Sequence, residues 1–142
     1  MLTNISYAVE IVSRGDLNLE ESLSEENQIY SNPQKILVSQ VEGFNTKLSN
    51  NMEEWIQFLY YYSITRLNLN DIPYNYLIDA EGRIYEGAKG GVGVNPGLDG
   101  GENIVLIGIL ESKSSPSLRT QDSLIKLDRK STRLNSSHVS QS

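Results

Sequence analysis

The sequence predicts an α/β domain in which a mixed central β-sheet is flanked by helices, and three stretches carry that prediction. Residues 71–87, DIPYNYLIDAEGRIYEG, alternate their side chains about a glycine-containing turn, which is how a half-buried β-hairpin is written. Residues 104–110, IVLIGIL, are almost continuously apolar and read as a buried central strand. From Asn50, apolar side chains at Met52, Trp55, Ile56 and Leu59 recur at helical spacing.

The elements follow in chain order. Residues 4–14 alternate weakly, as an edge strand does, and the acidic segment after them reads as loop or a short helix. Residues 35–41, KILVSQV, form a compact apolar run after Pro33 and predict a buried strand. Asn50 is placed to cap the first helix with Glu53 three residues on, and Trp55 is assigned to the core. Of Tyr60, Tyr61 and Tyr62, one or two can reach that core, because consecutive helical residues point in different directions. The hairpin then places Ile72, Tyr74, Tyr76 and Ile78 on one strand face, with a left-handed glycine at Gly82 closing the turn. Seven glycines between Gly87 and Gly101 describe a loop. After the strand at 104–110, Ser115 and Pro116 open a second helix carried by Leu118, Leu124, Ile125 and Leu127.

At Leu127 the apolar pattern stops. Residues 128–138 resemble a translated sequencing adapter, so 128–142 is expected to be a disordered tail foreign to a domain of residues 1–127; a natural Ser-rich tail is the alternative. That tail holds His138, the single histidine.

Composition narrows the function. The 142 residues suffice for one domain with its own core, and a net charge of −6 disfavours nucleic acid and anionic membranes as partners. No apolar stretch is long enough for membrane insertion, and residues 1–15 lack the basic head and apolar block of a signal peptide. Absence of cysteine removes disulfides and thiolate chemistry, and leaves the compartment open. The glycine loop matches neither GxxxxGK[ST] nor GxGxxG, so a nucleotide site is not indicated.

The motifs Asp71-Ile72-Pro73-Tyr74-Asn75-Tyr76 and Gly82-Arg83-Ile84-Tyr85-Glu86-Gly87, in that order and spacing, resemble the type 2 N-acetylmuramoyl-L-alanine amidases, a family that includes the peptidoglycan recognition proteins. The segment Ile11-Val12-Ser13-Arg14-Gly15-Asp16 is similar to that family's opening ISRxEW, with Leu17 in place of Trp. The resemblance spans residues 11–127 and implies the family's mixed sheet with helices, here incomplete at its C-terminal side. It implies peptidoglycan or muropeptide as partner, and a cell-envelope or extracellular setting only through that substrate.

Family members use zinc to hydrolyse the amide joining the muramoyl lactyl group to L-alanine. Three protein ligands hold the metal and leave a position for an activated water. At the first ligand position the resemblance puts Ser39 or Gln40, and neither hydroxyl nor neutral amide holds zinc as imidazole or thiolate does. No zinc or other cofactor is therefore expected for this chain. The family's catalytic tyrosine corresponds to Tyr74, whose hydroxyl is suited to stabilise an oxyanion; filling a strand face is the alternative role. For substrate contact the resemblance nominates Asn75, with Lys89 as a partial substitute for a family Arg, and the glycine loop, where backbone can approach an extended sugar-peptide ligand closely, adds Gly91, Gly93 and Asn95. Asn75 is equally placed to be a polar outward residue. Ala88 stands where the family carries a peptide-binding Arg, and Lys89 offers only a point charge. Three readings follow: an amidase active when complete, with its missing ligands expected beyond Leu127, a zinc-free peptidoglycan-binding module, or a fragment without activity.

Overall fold

The structure is a computed structural model that describes residues 10–23, 29–30, 35–41, 51–90, 94–95, 104–111 and 115–139. Its strands are β1 (Ile11–Val12), β2 (Ile29–Tyr30), β3 (Lys35–Gln40), β4 (Tyr76–Asp79), β5 (Ile84–Glu86), β6 (Val94–Asn95) and β7 (Ile104–Leu110). The α-helices among the described residues are α1 (Met52–Thr65) and α2 (Leu118–Val139), and a 3-10 turn covers Glu21–Leu23. Five strands form one mixed sheet in the order β1-β5-β4-β7-β3, while β2 and β6 pair antiparallel as a separate ribbon. The α/β architecture expected from the sequence is the one observed.

Cores lie on both faces of the sheet. Alternation along β7 sends Leu106 and Leu110 toward Trp55, Ile56, Leu59 and Tyr60 of α1, and Val105, Ile107 and Ile109 toward Leu127 of α2. The predicted β4–β5 hairpin is present, its turn expected at residues 79–82 and observed at 80–83. Gly82 has φ 82° and donates its N–H to the Asp79 carbonyl, a left-handed position that glycine occupies without strain. Asp79, itself buried, fixes the turn by accepting the N–H groups of Glu81 and Arg83 at 3.0 and 2.9 Å.

The first helix starts one residue later than expected. Asn51, not Asn50, is its cap, and the Asn51 side chain accepts the Glu53 N–H at 2.9 Å. Of the three tyrosines only Tyr60 is buried, where its hydroxyl donates to the Glu20 carbonyl; Tyr61 and Tyr62 are exposed.

Two expectations are corrected. The run at β3 is not buried. This strand is the last in the sheet order, and Leu37 and Val38 are 49% and 41% exposed on its two faces. Its parallel register with β7 sets Ser39 opposite Gly108 and Gln40 opposite Ile109. Among the described side chains of α2 the buried positions are Thr120, Ser123 and Leu127, whereas Leu118 and Ile125 are exposed. Thr120 and Ser123 bury because their hydroxyls donate to the carbonyls of Asp79 and Gly82, pinning the helix to the hairpin turn. The backbone of α2 runs on past Leu127 to Val139, so the end of the apolar pattern does not coincide with a helix end.

Candidate functional site

The site begins with a slip in β-strand alternation. A regular strand would keep Ile72, Tyr74, Tyr76 and Ile78 on one face. Instead Ile72 and Tyr74 join the core under α1, and Tyr76 and Ile78 join the core under α2. Regular β4 starts only at Tyr76, and the two preceding carbonyls take consecutive donors: Asn75 accepts from Gly87 N–H at 2.9 Å, and Tyr74 accepts from Ala88 N–H at 2.7 Å.

Asn75 repairs the sheet where the slip occurs. Its backbone N–H donates to the Leu106 carbonyl and its side-chain Oδ1 accepts the Leu106 N–H, both at 2.7 Å. The amide oxygen thus takes the place of a ladder carbonyl, and Asn75 is fully buried. The Asn75 side chain, read from the sequence as a ligand contact or an outward polar residue, thus lies buried with its oxygen facing the neighbouring strand.

An ionic knot, buried at Arg14 and Asp71 and open to solvent at Glu21, holds the other end of the segment. The Arg14 guanidinium donates to both Glu21 carboxylate oxygens and to Asp71 Oδ1, each at 2.9 Å, and also to the Gly87 carbonyl. The same guanidinium lies 5.5 Å from the Tyr60 ring centroid. Asp71 in turn accepts the Ile72 N–H through Oδ1 and the Lys89 N–H through Oδ2, at 2.8 and 3.0 Å. One carboxylate therefore ties the strand entry to the first residues after β5. Burial opposes the Arg14 charge, but Glu21 and Asp71 outweigh it and its pKa lies above the ordinary value. The sequence marked Arg14 and Asp71 only as parts of motifs; their pairing across 57 residues has no local signal.

Between α1 and the sheet lies a cavity of about 620 Å³ that brings Ser39 and Gln40 together with Tyr74. Gly108 makes that approach possible. A Cβ there would sit 2.7 Å from Val41 Cγ2, 2.9 Å from Leu77 Cδ2 and 3.0 Å from Tyr74 Cδ1. Tyr74 is largely buried and also forms part of the cavity wall. The outer wall is α1, where Phe58 and Tyr62 stack with ring centroids 5.9 Å apart. This aromatic wall was not anticipated; its signal is the pair spaced four residues apart on a helix whose core face is already supplied by Trp55, Ile56 and Leu59.

The remaining nominated residues do not converge there. Lys89 is exposed and contributes its backbone N–H to Asp71, and it does not line the cavity. Asn95 sits in β6, opposite Ile29 of β2. Gly91 and Gly93 lie outside the described residues.

The donors at the end of β3 do not fit a zinc ion. Ser39 offers a hydroxyl, and Gln40 offers an amide whose Nε2 donates to the Glu111 carbonyl. Among the described residues no three His, Cys, Asp or Glu side chains converge as a metal site. Nor, among them, is any helix long and apolar enough to cross a membrane.

Comparison with solved structures places this fold. The recognition protein PGRP-SA of Drosophila superimposes with a TM-score of 0.74 at 20% identity, covering 89% of this chain and 74% of that one. PGRP-Hd of Alvinella pompejana gives 0.73 at 27% identity, with 89% and 80% covered. Peptidoglycan recognition protein-LE, solved in complex with tracheal cytotoxin, a monomeric diaminopimelic acid-type peptidoglycan, gives 0.68 at 18% identity, with 82% and 70% covered. No family model and no curated protein sequence matches.

Proposed function

Because this chain carries the fold of the peptidoglycan recognition proteins, as its hairpin motifs implied, we propose that it binds peptidoglycan or muropeptides in the cavity beneath α1, without zinc-assisted hydrolysis. The observation that carries the reading is the convergence of Tyr74, Ser39 and Gln40 on one cavity, held by the slip at Asn75 and the Arg14–Asp71 knot. A large, preformed cleft walled by aromatic side chains with a few polar groups is the usual form of a ligand site. Two of the structural neighbours were solved with tracheal cytotoxin bound, which supports a muropeptide as the ligand class.

The hydrolytic half of the family's chemistry is assigned no step here. Zinc hydrolysis needs a metal-bound water, and the Ser39 hydroxyl and the Gln40 amide do not supply the donors. Tyr74 then acts in binding, as a residue of the cavity wall.

Two measurements test the proposal. Co-sedimentation with insoluble peptidoglycan is expected to deplete the folded protein from the supernatant, and failure of a folded sample to pellet overturns the binding role. Incubation of the zinc-equilibrated protein with muropeptide is expected to release no free stem peptide. Release together with one zinc retained per chain overturns the zinc-free assignment.

A further inference from the structure

We infer that a second cavity, in the corner between β1, the β4–β5 turn and α2, binds short peptides with free ends, taking the ammonium end at acids beside β1 and the carboxylate end at cations on α2. The inference does not rest on the peptidoglycan reading. β1 and β3 stand at opposite ends of the sheet order, and no residue of this cavity lines the one beneath α1.

Side-chain hydrogen bonds hold the corner together. The hydroxyls of Ser117, just ahead of α2, and of Thr120 donate to the carbonyls of Ala80 and Asp79, both at 2.7 Å, and the Ser123 hydroxyl donates to the Gly82 carbonyl. Gly82 lets the helix come this close, since a Cβ there would lie 2.8 Å from the Arg119 carbonyl oxygen. Ser123 lines the cavity together with Arg119, four residues before it, and Lys126, three residues after. The anchoring hydroxyl and both cations therefore share one face of a helix that is tied to the turn.

Charge in the lining is divided between elements. Glu10, at the entry to β1, and Asp16, in the turn after it, are exposed, and neither makes an ion pair among the described residues. Arg119 pairs with Glu81 at 2.9 Å and Lys126 with Asp122 at 3.1 Å, yet all four side chains are more than half exposed. Ion pairs in water hold weakly, so an incoming carboxylate can exchange for either acid.

The same lining selects the ligand. Among the described residues no three acids converge to hold a metal ion, and a polyanion would meet Glu10, Asp16 and Glu81. No aromatic ring lines the cavity, which favours a primary ammonium, able to donate to carboxylates, over a quaternary one. Ile11, Val12 and Ile84 add apolar surface suited to small aliphatic side chains. The volume of about 1020 Å³ is at the upper end of small-ligand sites and suits a short peptide better than a single amino acid.

The test is an NMR titration of the ¹⁵N-labelled full chain with Ala-Ala-Ala, its N-acetyl form and its C-terminal amide. The free tripeptide is expected to shift the amide signals of Ile11, Val12, Ile84 and Ser123 and to leave those of Ser39 and Tyr62 in place. Either cap is expected to weaken binding about tenfold, because each removes one charge-assisted contact. Raising salt from roughly 0.05 to 0.5 M should weaken the free tripeptide by about fivefold or more. Two variants at exposed positions assign the ends. Lys126→Gln is expected to weaken the free tripeptide about fivefold and leave the amide form unchanged, and Glu10→Gln to weaken the free tripeptide equally and leave the N-acetyl form unchanged. Any of three results overturns the inference: no saturable shift at those amides up to about 10 mM free tripeptide, a capped form that binds as tightly as the free one, or variants that weaken free and capped ligands alike.

Discussion

Replacing Asn75 by alanine separates a structural role from a ligand-contacting one. In the folded protein the Asn75 side-chain oxygen is the acceptor for the Leu106 N–H at 2.7 Å, at a position with no solvent access. Asn75→Ala leaves that donor buried without a partner, which costs about 1–3 kcal/mol. The atoms removed leave a small void between β4 and β7 and add roughly 1 kcal/mol. The expected loss is about 2–4 kcal/mol, and at about 3–4 °C per kcal/mol for a chain of this size Tm falls by roughly 6–16 °C. Urea unfolding is expected to show a lower midpoint with an unchanged slope, since the surface exposed on unfolding is nearly the same. Peptidoglycan pelleting measured well below the new Tm should be retained in large part. If instead the midpoint stays within about 0.5 kcal/mol of wild type while pelleting is lost, Asn75 contacts ligand and the ladder-repair account is wrong.

Three further outcomes follow from the geometry. Arg14→Ala leaves Asp71 buried without its cation and should destabilise by about 3–5 kcal/mol in urea titrations; an Arg14→Ala/Asp71→Ala pair that loses the full sum of the single effects would show that the two residues are not coupled. Gly108→Ala forces a methyl against Val41, Leu77 and Tyr74, with an expected cost of about 1–3 kcal/mol and weaker peptidoglycan binding as Tyr74 is displaced; wild-type stability in the variant would refute the close packing. The Tyr85 phenol donates to Asp79 Oδ2 at 2.7 Å, and burial, reinforced by Asp79, pushes its pKa above the ordinary value of 10.0. The unfolded chain therefore releases that proton first as pH rises. The stability contributed by neutral Tyr85 is full below pH ~10 and declines above it at up to about 1.4 kcal/mol per pH unit. Chemical denaturation between about pH 9 and 11 should show a shallower decline in Tyr85→Phe than in wild type.

The sequence displayed what is local and hid what depends on neighbours. The hairpin turn was legible because Gly82 needs a left-handed backbone and the flanking residues alternate. The strand at β7 was legible because apolar residues on both faces imply cover on both sides, and α1 and α2 supply it. The same reasoning failed for β3, whose Lys35–Val38 stretch has similar composition: a strand's rank in the sheet is set by topology, and β3 lies at the end of the order. In α2, hydropathy favoured Leu118 and Ile125 for the core, yet Thr120 and Ser123 are buried. Their hydroxyls meet the turn carbonyls of Asp79 and Gly82, partners more than 35 residues away that no window on the helix contains. Within the site, Tyr74 was singled out through the family resemblance and Ser39 as the possible metal position; what joins them is the missing side chain at Gly108.

The slip at Tyr74 and Asn75 links the fold to the cavity. Had alternation continued through β4, Tyr74 would share a face with Tyr76 and Ile78 and point into the core beneath α2, and the cavity under α1 would lack that wall. Shifting Tyr74 to the other face displaces the backbone by one position and takes a carbonyl out of line with the Leu106 N–H. An amide side chain one bond from Cβ can return an oxygen to that point while remaining neutral. A carboxylate in the same place would be buried without a cation, and an aliphatic residue would leave the donor unsatisfied. The consecutive pair Tyr-Asn therefore acts as a unit: Tyr74 builds the cavity wall, and Asn75 makes that placement compatible with an unbroken sheet. The Arg14–Asp71 knot fixes the entry to this segment and the exit from β5, so the wall is braced at both ends before any ligand arrives.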